Sequence, residues 1–437
     1  MAVSPPSATL AGPPREVEAS IGQRLLWLLD HYRGGDGTIN VPIAWRIRRP
    51  LDTAALELAL SGLVERHETL RTTYASRRRR LIQQIHAHRP VALELIDASA
   101  EVDPEAWAVA AMERDVRCDM DPAVGPIAAR LWRIAAEDHL LLINIHHLAT
   151  DFFSNMILTR DLGWLYDLAI GAESAPMPAI PWSYAEWSIR QAEAFSAGRQ
   201  AALQAYWTET LAGSRGVSLP RVRTGAGNRD DARNDTETFD LDPAVVERVR
   251  SAARALRTTT FSVMLAALYT HLARLTGERD LSVSSLFTNR ARPEVRDTVG
   301  FFVNMIVLRG QVDPAQPFTA LARDARSIVV RALANADLPL QLLPARTVGA
   351  GADDVVFQFL EAPPGRVCSL APEVLDITVG SGRFALELVV YNHEHLMVRS
   401  GREFDGHWAR RFLHGYAELV GELTAAPDEP LARWLSL

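Results

Sequence analysis

The sequence predicts an α/β (α+β) protein built from two comparable halves. Three observations point there. Helical and strand-like patterns alternate along the chain, as they do in layered folds of mixed type. The stretch Gly171 to Trp182 holds three prolines and separates two periodic regions. No fixed-period repeat divides the chain further. The expected domains are therefore residues 1–175 and 176–437. In chain order, Leu56, Leu60 and Leu63 recur at helical spacing behind Asp52 and Thr53 as caps. Leu158, Leu162, Leu165 and Ala169 mark a second helix, and Phe261, Leu265, Leu268, Leu272 and Leu275 a third. Leu321, Ala325, Ile328 and Ala332 mark a fourth, and Trp408, Phe412, Tyr416 and Val420 a last one. Strands are expected at Ile39 to Ile47, Leu81 to Ile85, Ile127 to Arg133 and Leu140 to Ile145. Further strands are expected at Leu281 to Ser285, Met305 to Arg309, Val355 to Leu360, Leu386 to Tyr391 and Leu396 to Arg399. Gly213 to Asp235, rich in Gly, Arg, Asn and Asp, reads as an exposed loop.

Composition narrows the chemistry. The 437 residues are 48% apolar, with 46 basic side chains against 53 acidic ones and a formal charge of −7. No lysine occurs, so every basic side chain other than histidine is arginine. That excludes a Walker-type phosphate loop, a Schiff-base lysine and a kinase strand lysine. Arginine cannot stand in, because its guanidinium stays protonated. The bias itself reflects genomic composition more than function. Mild acidity argues against a nucleic-acid partner. Cys118 and Cys368 are too few for a disulfide framework or a cysteine-rich metal site. Met1 to Pro14 has neither the charge pattern of a signal peptide nor the apolar length of an anchor. No membrane partner is expected, and the chain reads as cytoplasmic.

The richest segment is Leu141-Leu-Ile-Asn-Ile-His146-His147-Leu-Ala-Thr-Asp151-Phe-Phe-Ser154. An apolar strand runs into two histidines, a short turn and a helix starting near Ser154. Neighbours on a strand point to opposite faces, so His146 and His147 cannot do the same job. One packs inside; the other can face a cavity and accept a proton from an incoming nucleophile. Asp151 can hold backbone amides or an arginine and fix the turn. A shared metal is disfavoured by the opposite facing. His393 and His395 sit two apart on an expected strand and read as a surface pair, with no carboxylate cluster to make a metal site.

This segment resembles the HHxxxDxxS signature of the condensation domains of nonribosomal peptide synthetases. Other segments are similar to that family's motifs in order: Ala19-Ser-Ile-Gly-Gln23-Arg24-Leu-Leu-Trp27, Arg66-His-Glu-Thr-Leu-Arg71-Thr72 and Tyr184-Ala-Glu-Trp187. Asn289-Arg290 ahead of Val299-Gly-Phe-Phe-Val-Asn304, then Ala336 to Leu340 and Val356 to Phe359, complete the set. The resemblance implies two halves like chloramphenicol acetyltransferase, in a V-shaped pseudo-dimer with a central tunnel. It implies His147 as the catalytic residue, His146 as structural, and Asp151 braced by Arg290, with Ser154 supporting the loop. Arg24, Arg71 and Asn304 are read as scaffold around the tunnel, and Asn304 with Phe152 as possible substrate-channel residues. It also implies acyl or peptidyl carrier proteins as partners, holding the donor, with the acceptor either carrier-bound or a small-molecule amine or alcohol. The substrates are expected to ride on carrier phosphopantetheine, with no cofactor or metal bound by the chain itself and a monomer as the expected state.

The expected reaction joins a carrier-bound acyl, peptidyl or polyketide thioester to an amine, or to a hydroxyl, giving an amide or ester. A thioester is already activated, so positioning supplies much of the rate. One departure matters: the family usually has glycine after the motif aspartate, where this chain has Phe152. Relatives that take acyl chains from polyketide modules are similar in carrying an aromatic there, which favours an acyl or polyketide donor. The plainer reading is that Phe152 packs under the loop. Asn335 stands where many relatives have histidine, in a loose motif. Arg77 to Arg80 reads as a solvated hairpin turn, with contact to an acidic carrier protein as the other reading. Competing readings are a coenzyme A-dependent acyltransferase of the same superfamily, whose plant-type members carry a DFGWG-like segment not found here, and a non-catalytic recruitment module, which would lose His147. An epimerisation domain lacks its own later motifs here, and a cyclisation domain would replace His146 by aspartate. No carrier or adenylation segment is found, so the chain is expected to be free-standing or excised from a larger synthase.

Overall fold

A computed structural model describes residues 12–33, 39–78, 80–87, 89–173, 176–195, 197–220, 235–344, 347, 349, 351–352, 354–361, 368–375, 377, 384–401 and 403–435. The chain divides into two compact units. The first comprises Met1–Ser196, Arg290–Val303 and Pro364–Gly380; the second comprises Ala197–Asn289, Asn304–Pro363 and Ser381–Leu437. The first unit thus runs past the expected boundary at residue 175 and takes in two later segments. Side chains explain why. On the helix Tyr184–Ala194, Tyr184 and Trp187 pack with Val295 and Phe302 of the first later segment. In the second, Glu373–Val374 pairs with Arg46 and Trp45 as an edge strand, and the Ser369 amide donates to Asp167. Such insertions leave no trace in local hydrophobic periodicity.

In the first unit a five-stranded sheet runs in the order 373–374, Asn40–Ile47, Asp138–His146, Ile127–Ala135, Leu93–Asp97. All neighbours are antiparallel except the last pair. The strand Asp138–His146 is apolar on both faces because both are covered, as a fully buried strand requires. Leu141, Ile143 and Ile145 pack with the helices Thr53–Arg66 and Phe152–Ala169. Leu140 and Leu142 face the helix Pro104–Val116, together with Trp132 and Met112. That helix starts behind Asp103 as cap with proline at its first position. Arg46 ties it to the sheet through Glu105 and Asp138. A smaller antiparallel sheet joins Arg15–Glu18, Arg80–Ile85 and Thr72–Arg77.

The second unit holds a six-stranded sheet in the order Val303–Gln311, Asp280–Thr288, Val355–Leu360, Leu386–Tyr391, His395–Ser400, Asp235–Asp240. The helix Thr260–Thr276 is buried along every residue from Ser262 to Ala273, which is why its sequence is apolar on all sides. The helices Pro243–Ala255, Phe318–Ala334 and Gly406–Ala425 enclose it. The strands expected from the sequence all form. Of the expected loop Gly213 to Asp235, residues 221–234 lie outside the described residues, as do residues 1–11. Among the described residues no helix is long and apolar enough to cross a membrane, and no group of three or more His, Cys, Asp or Glu is placed to hold a metal.

Candidate active site

The sheet strand Asp138–His146 delivers the two histidines. Asn40 pairs with His146 in register, and the strand ends there. His146 is 1% exposed, and its Nδ1 accepts from the Leu148 amide at 3.1 Å. Its proton therefore sits on Nε2, which lies 3.8 Å from Asp30. His147 is the first residue of the turn and is half-buried. Its Nδ1 lies 2.7 Å from the Thr150 carbonyl oxygen. A carbonyl only accepts, so Nδ1 carries the proton and Nε2 keeps a free lone pair. The two neighbours thus hold opposite tautomers, one spent on the turn and the other available. Burial pushes the His147 pKa below the ordinary histidine value of 6.5, against the raising effects of the Thr150 carbonyl and the Asp151 charge. The ring is therefore a neutral acceptor at pH 7. Phe301 stands edge-on to it at 5.0 Å.

Asp151 caps the helix Phe152–Ala169, accepting from the Ser154 amide at 2.7 Å with one oxygen and from the Phe302 amide at 3.0 Å with the other. Arg290 comes to Asp151 as expected, at 3.3 Å, but its shorter bonds go elsewhere. Its guanidinium donates to Ser154 Oγ and the Thr298 carbonyl, both at 2.6 Å, and lies 4.0 Å over the Phe302 ring. Ser154 Oγ also receives the Gly300 amide at 3.0 Å and donates to the Gly300 carbonyl at 2.8 Å. Arg290 and Ser154 together pin the 290–303 segment onto the start of the helix. Leaving that aspartate without its buried partner costs about 3–5 kcal/mol.

Other expected residues fall as follows. Phe152 is 40% exposed at the first position of the helix. Asn304 is buried, and its amide spends both ends on backbone, donating to the Ala336 carbonyl at 2.5 Å and accepting from the Met305 amide at 2.9 Å. That bonding makes it a brace within the second unit. Arg24 pairs with Glu18 at 2.8 Å, and Arg71 donates to the His86 carbonyl at 2.7 Å. Arg77 pairs across the hairpin with Arg80, and these two side chains meet Glu16 and Glu18; Arg79 lies outside the described residues. His393 is in a turn with φ of 70°, not on a strand with His395. His393 meets Glu361 at 2.8 Å, and His395 meets Asp240, so each histidine has its own carboxylate.

Further residues hold the turn from behind or brace the helix after it. The Leu148 carbonyl receives the Gln23 amide and the Tyr74 hydroxyl, each at 2.9 Å. The Tyr184 hydroxyl donates to the Phe301 carbonyl at 2.6 Å. His67, Arg66 and Arg160 converge on the fully buried Asp161. Gln23, Arg66, His67 and Tyr184 lie in segments similar to family motifs, but nothing in the sequence named their partners.

Sequence comparison places this arrangement. The family model described as the condensation domain matches residues 15–436. The chain belongs to the condensation-domain family. Phosphinothricin tripeptide synthetase PhsC of Streptomyces viridochromogenes is 33% identical over 394 residues, which are 86% of this chain and 36% of that one. The condensation domain of monacolin K polyketide synthase MokA superposes with a TM-score of 0.81 at 22% identity, covering 97% of this chain and 100% of the other, and speaks for the fold. The SgcC5 protein of Streptomyces globisporus, solved with (R)-(−)-1-(2-naphthyl)-1,2-ethanediol and sucrose, is 25% identical with a TM-score of 0.73, covering 94% and 100%. This condensation domain spans about a third or less of the length of the curated relatives it matches. Condensation domains of nonribosomal peptide synthetases are acyltransferase-type catalysts that work with carrier-protein domains.

Proposed function

We propose that the chain transfers an acyl group from a carrier-protein-bound thioester to an amine or hydroxyl acceptor, forming an amide or an ester. The observation that carries this reading is the His147 tautomer: Nδ1–H is anchored on the Thr150 carbonyl and Nε2 is left with a lone pair. The acceptor's nitrogen or oxygen forms the new bond to the thioester carbonyl carbon while Nε2 takes its proton. Collapse of the tetrahedral species breaks the C–S bond, and the imidazolium returns the proton to the departing phosphopantetheine sulfur. The lowered pKa supports this role, because the ring need not be deprotonated first. Family membership supports the reaction class. A hydroxyl acceptor is supported by the diol in the SgcC5 structure, a protein matched along its whole length.

Phe152 sharpens the donor. An exposed aromatic ring, where the family usually has glycine, adds apolar surface beside the turn that carries His147. We read this as a preference for acyl or polyketide donors over aminoacyl ones. The test presents butyryl-loaded and alanyl-loaded carrier proteins with benzylamine and with the naphthyl diol, followed by intact-mass spectrometry of the carrier and chromatography of the product. Butyryl transfer to either acceptor above the enzyme-free rate is expected. Strong preference for the alanyl donor would refute the donor reading, and no transfer from any loaded carrier would refute the function.

A further inference from the structure

We propose that Gln23 and Tyr74 are positioning residues for His147, acting through the carbonyl of Leu148; this rests on the reading of His147 as the base. Leu148 follows His147 directly in the turn, and Leu148 and Gln23 are 0% exposed. The Leu148 carbonyl receives both the Gln23 amide and the Tyr74 hydroxyl. The second hydrogen of the same Gln23 amide goes to the Tyr74 oxygen at 2.8 Å, which closes a triangle of three bonds. Gln23 Oε1 accepts from the Ser20 amide at 3.1 Å, so both ends of the side chain are used.

The network continues to the other side of the imidazole. Ser20 Oγ accepts from the Gln23 amide nitrogen of the backbone at 3.1 Å and lies 2.9 Å from the Tyr184 hydroxyl. That hydroxyl donates to the Phe301 carbonyl, and the Phe301 ring is the one that abuts His147. One buried polar chain therefore grips both the residue after His147 and the residue against its ring. Simple filling of this space would need only Leu and Phe side chains, whereas buried polar groups are costly unless fully bonded. What the bonds add is direction: they fix where the turn sits and hence where Nε2 points.

Tyr74→Phe keeps the ring but removes one donor to Leu148 and the acceptor for Gln23. Two readouts are taken on the full chain. One is kcat and KM with butyryl-loaded carrier protein and benzylamine. The other is the tautomer of His147 from ¹⁵N-histidine NMR, with its signal identified by loss in His147→Gln. The expected result is a fall in kcat of about tenfold to a hundredfold with KM within about twofold, and a shift of the imidazole nitrogens away from the pure Nδ1–H pattern. Gln23→Met, of similar length, is expected to do the same. Unchanged kcat and tautomer in either folded variant overturns the proposal. Loss of folding in both variants also overturns it, by assigning the pair to general stability. The tautomer is read without turnover, so a shifted signal beside full activity of His147→Gln would instead defeat the catalytic reading of His147.

Discussion

His147 and His146 differ by one position along the chain and by which nitrogen holds the proton. The alternation of a strand's two faces made their division of labour legible in sequence, while the choice of tautomer needed the Thr150 carbonyl and the Leu148 amide in place. Asp151 and Arg290 are 139 residues apart, and only the family's motif order brought them together in advance. Gln23 was legible only as a member of a family motif and Tyr74 not at all, because the carbonyl that both hold belongs to a turn far along the chain. The tautomer and the burial of His147 lead to a pH dependence. A base with a lowered pKa stays unprotonated as pH falls through the ordinary value of 6.5, so activity persists below it. With the diol acceptor, which does not titrate in this range, the acid limb of kcat/KM is expected below pH 6.5. A limb at or above 6.5 with that acceptor would contradict the lowered pKa of the ring.

Elements were recovered where their apolar pattern was long. All nine strands expected from the sequence form, and the buried helix Thr260–Thr276 was plain from five apolar positions. Short or charged elements were missed: the strands Arg15–Glu18 and Leu93–Asp97, and helices such as Pro104–Val116, half of whose buried stripe is alanine. Their stability comes from neighbours, as when Arg46 clamps that helix to the sheet, and propensity alone does not report it. The 290–303 segment depends on a close approach at Gly300, where a Cβ would stand 2.0 Å from the Tyr184 ring. Gly300→Ala is expected to destabilise the fold by about 1–3 kcal/mol through overpacking. Chemical denaturation checks this, and an unchanged midpoint would show that Tyr184 yields without cost.

Across the whole molecule, the two halves were legible but their boundary was not, since the first unit borrows segments from late in the chain. The absence of lysine keeps its force: the proposed chemistry uses one neutral imidazole and no side-chain amine. Buried histidines set the response to acid. Burial holds the His271 pKa down to about 3, with Arg274 adding to it, and burial also lowers His67. Their folded values lie below the unfolded 6.5, so the unfolded chain takes up protons first as pH falls. Stability is full above 6.5 and declines below it, by about 2 kcal/mol at pH 5 for His271 alone. Asp161 adds a later loss: burial raises its pKa, but hydrogen bonds from His67, Arg160 and Arg66 outweigh this and bring it to about 2, so its contribution fades below 3.8. The urea midpoint is expected to be lower at pH 5 than at pH 7, and equal midpoints would contradict the burial of these rings. The central claim remains that Nε2 of His147 takes the acceptor's proton. Its most direct test is single-turnover transfer from butyryl-loaded carrier protein by the wild-type chain and by folded His147→Ala, at pH 7.5 and saturating benzylamine. The account predicts a rate at least about a hundredfold lower in the variant; a rate within about threefold of wild type would contradict it.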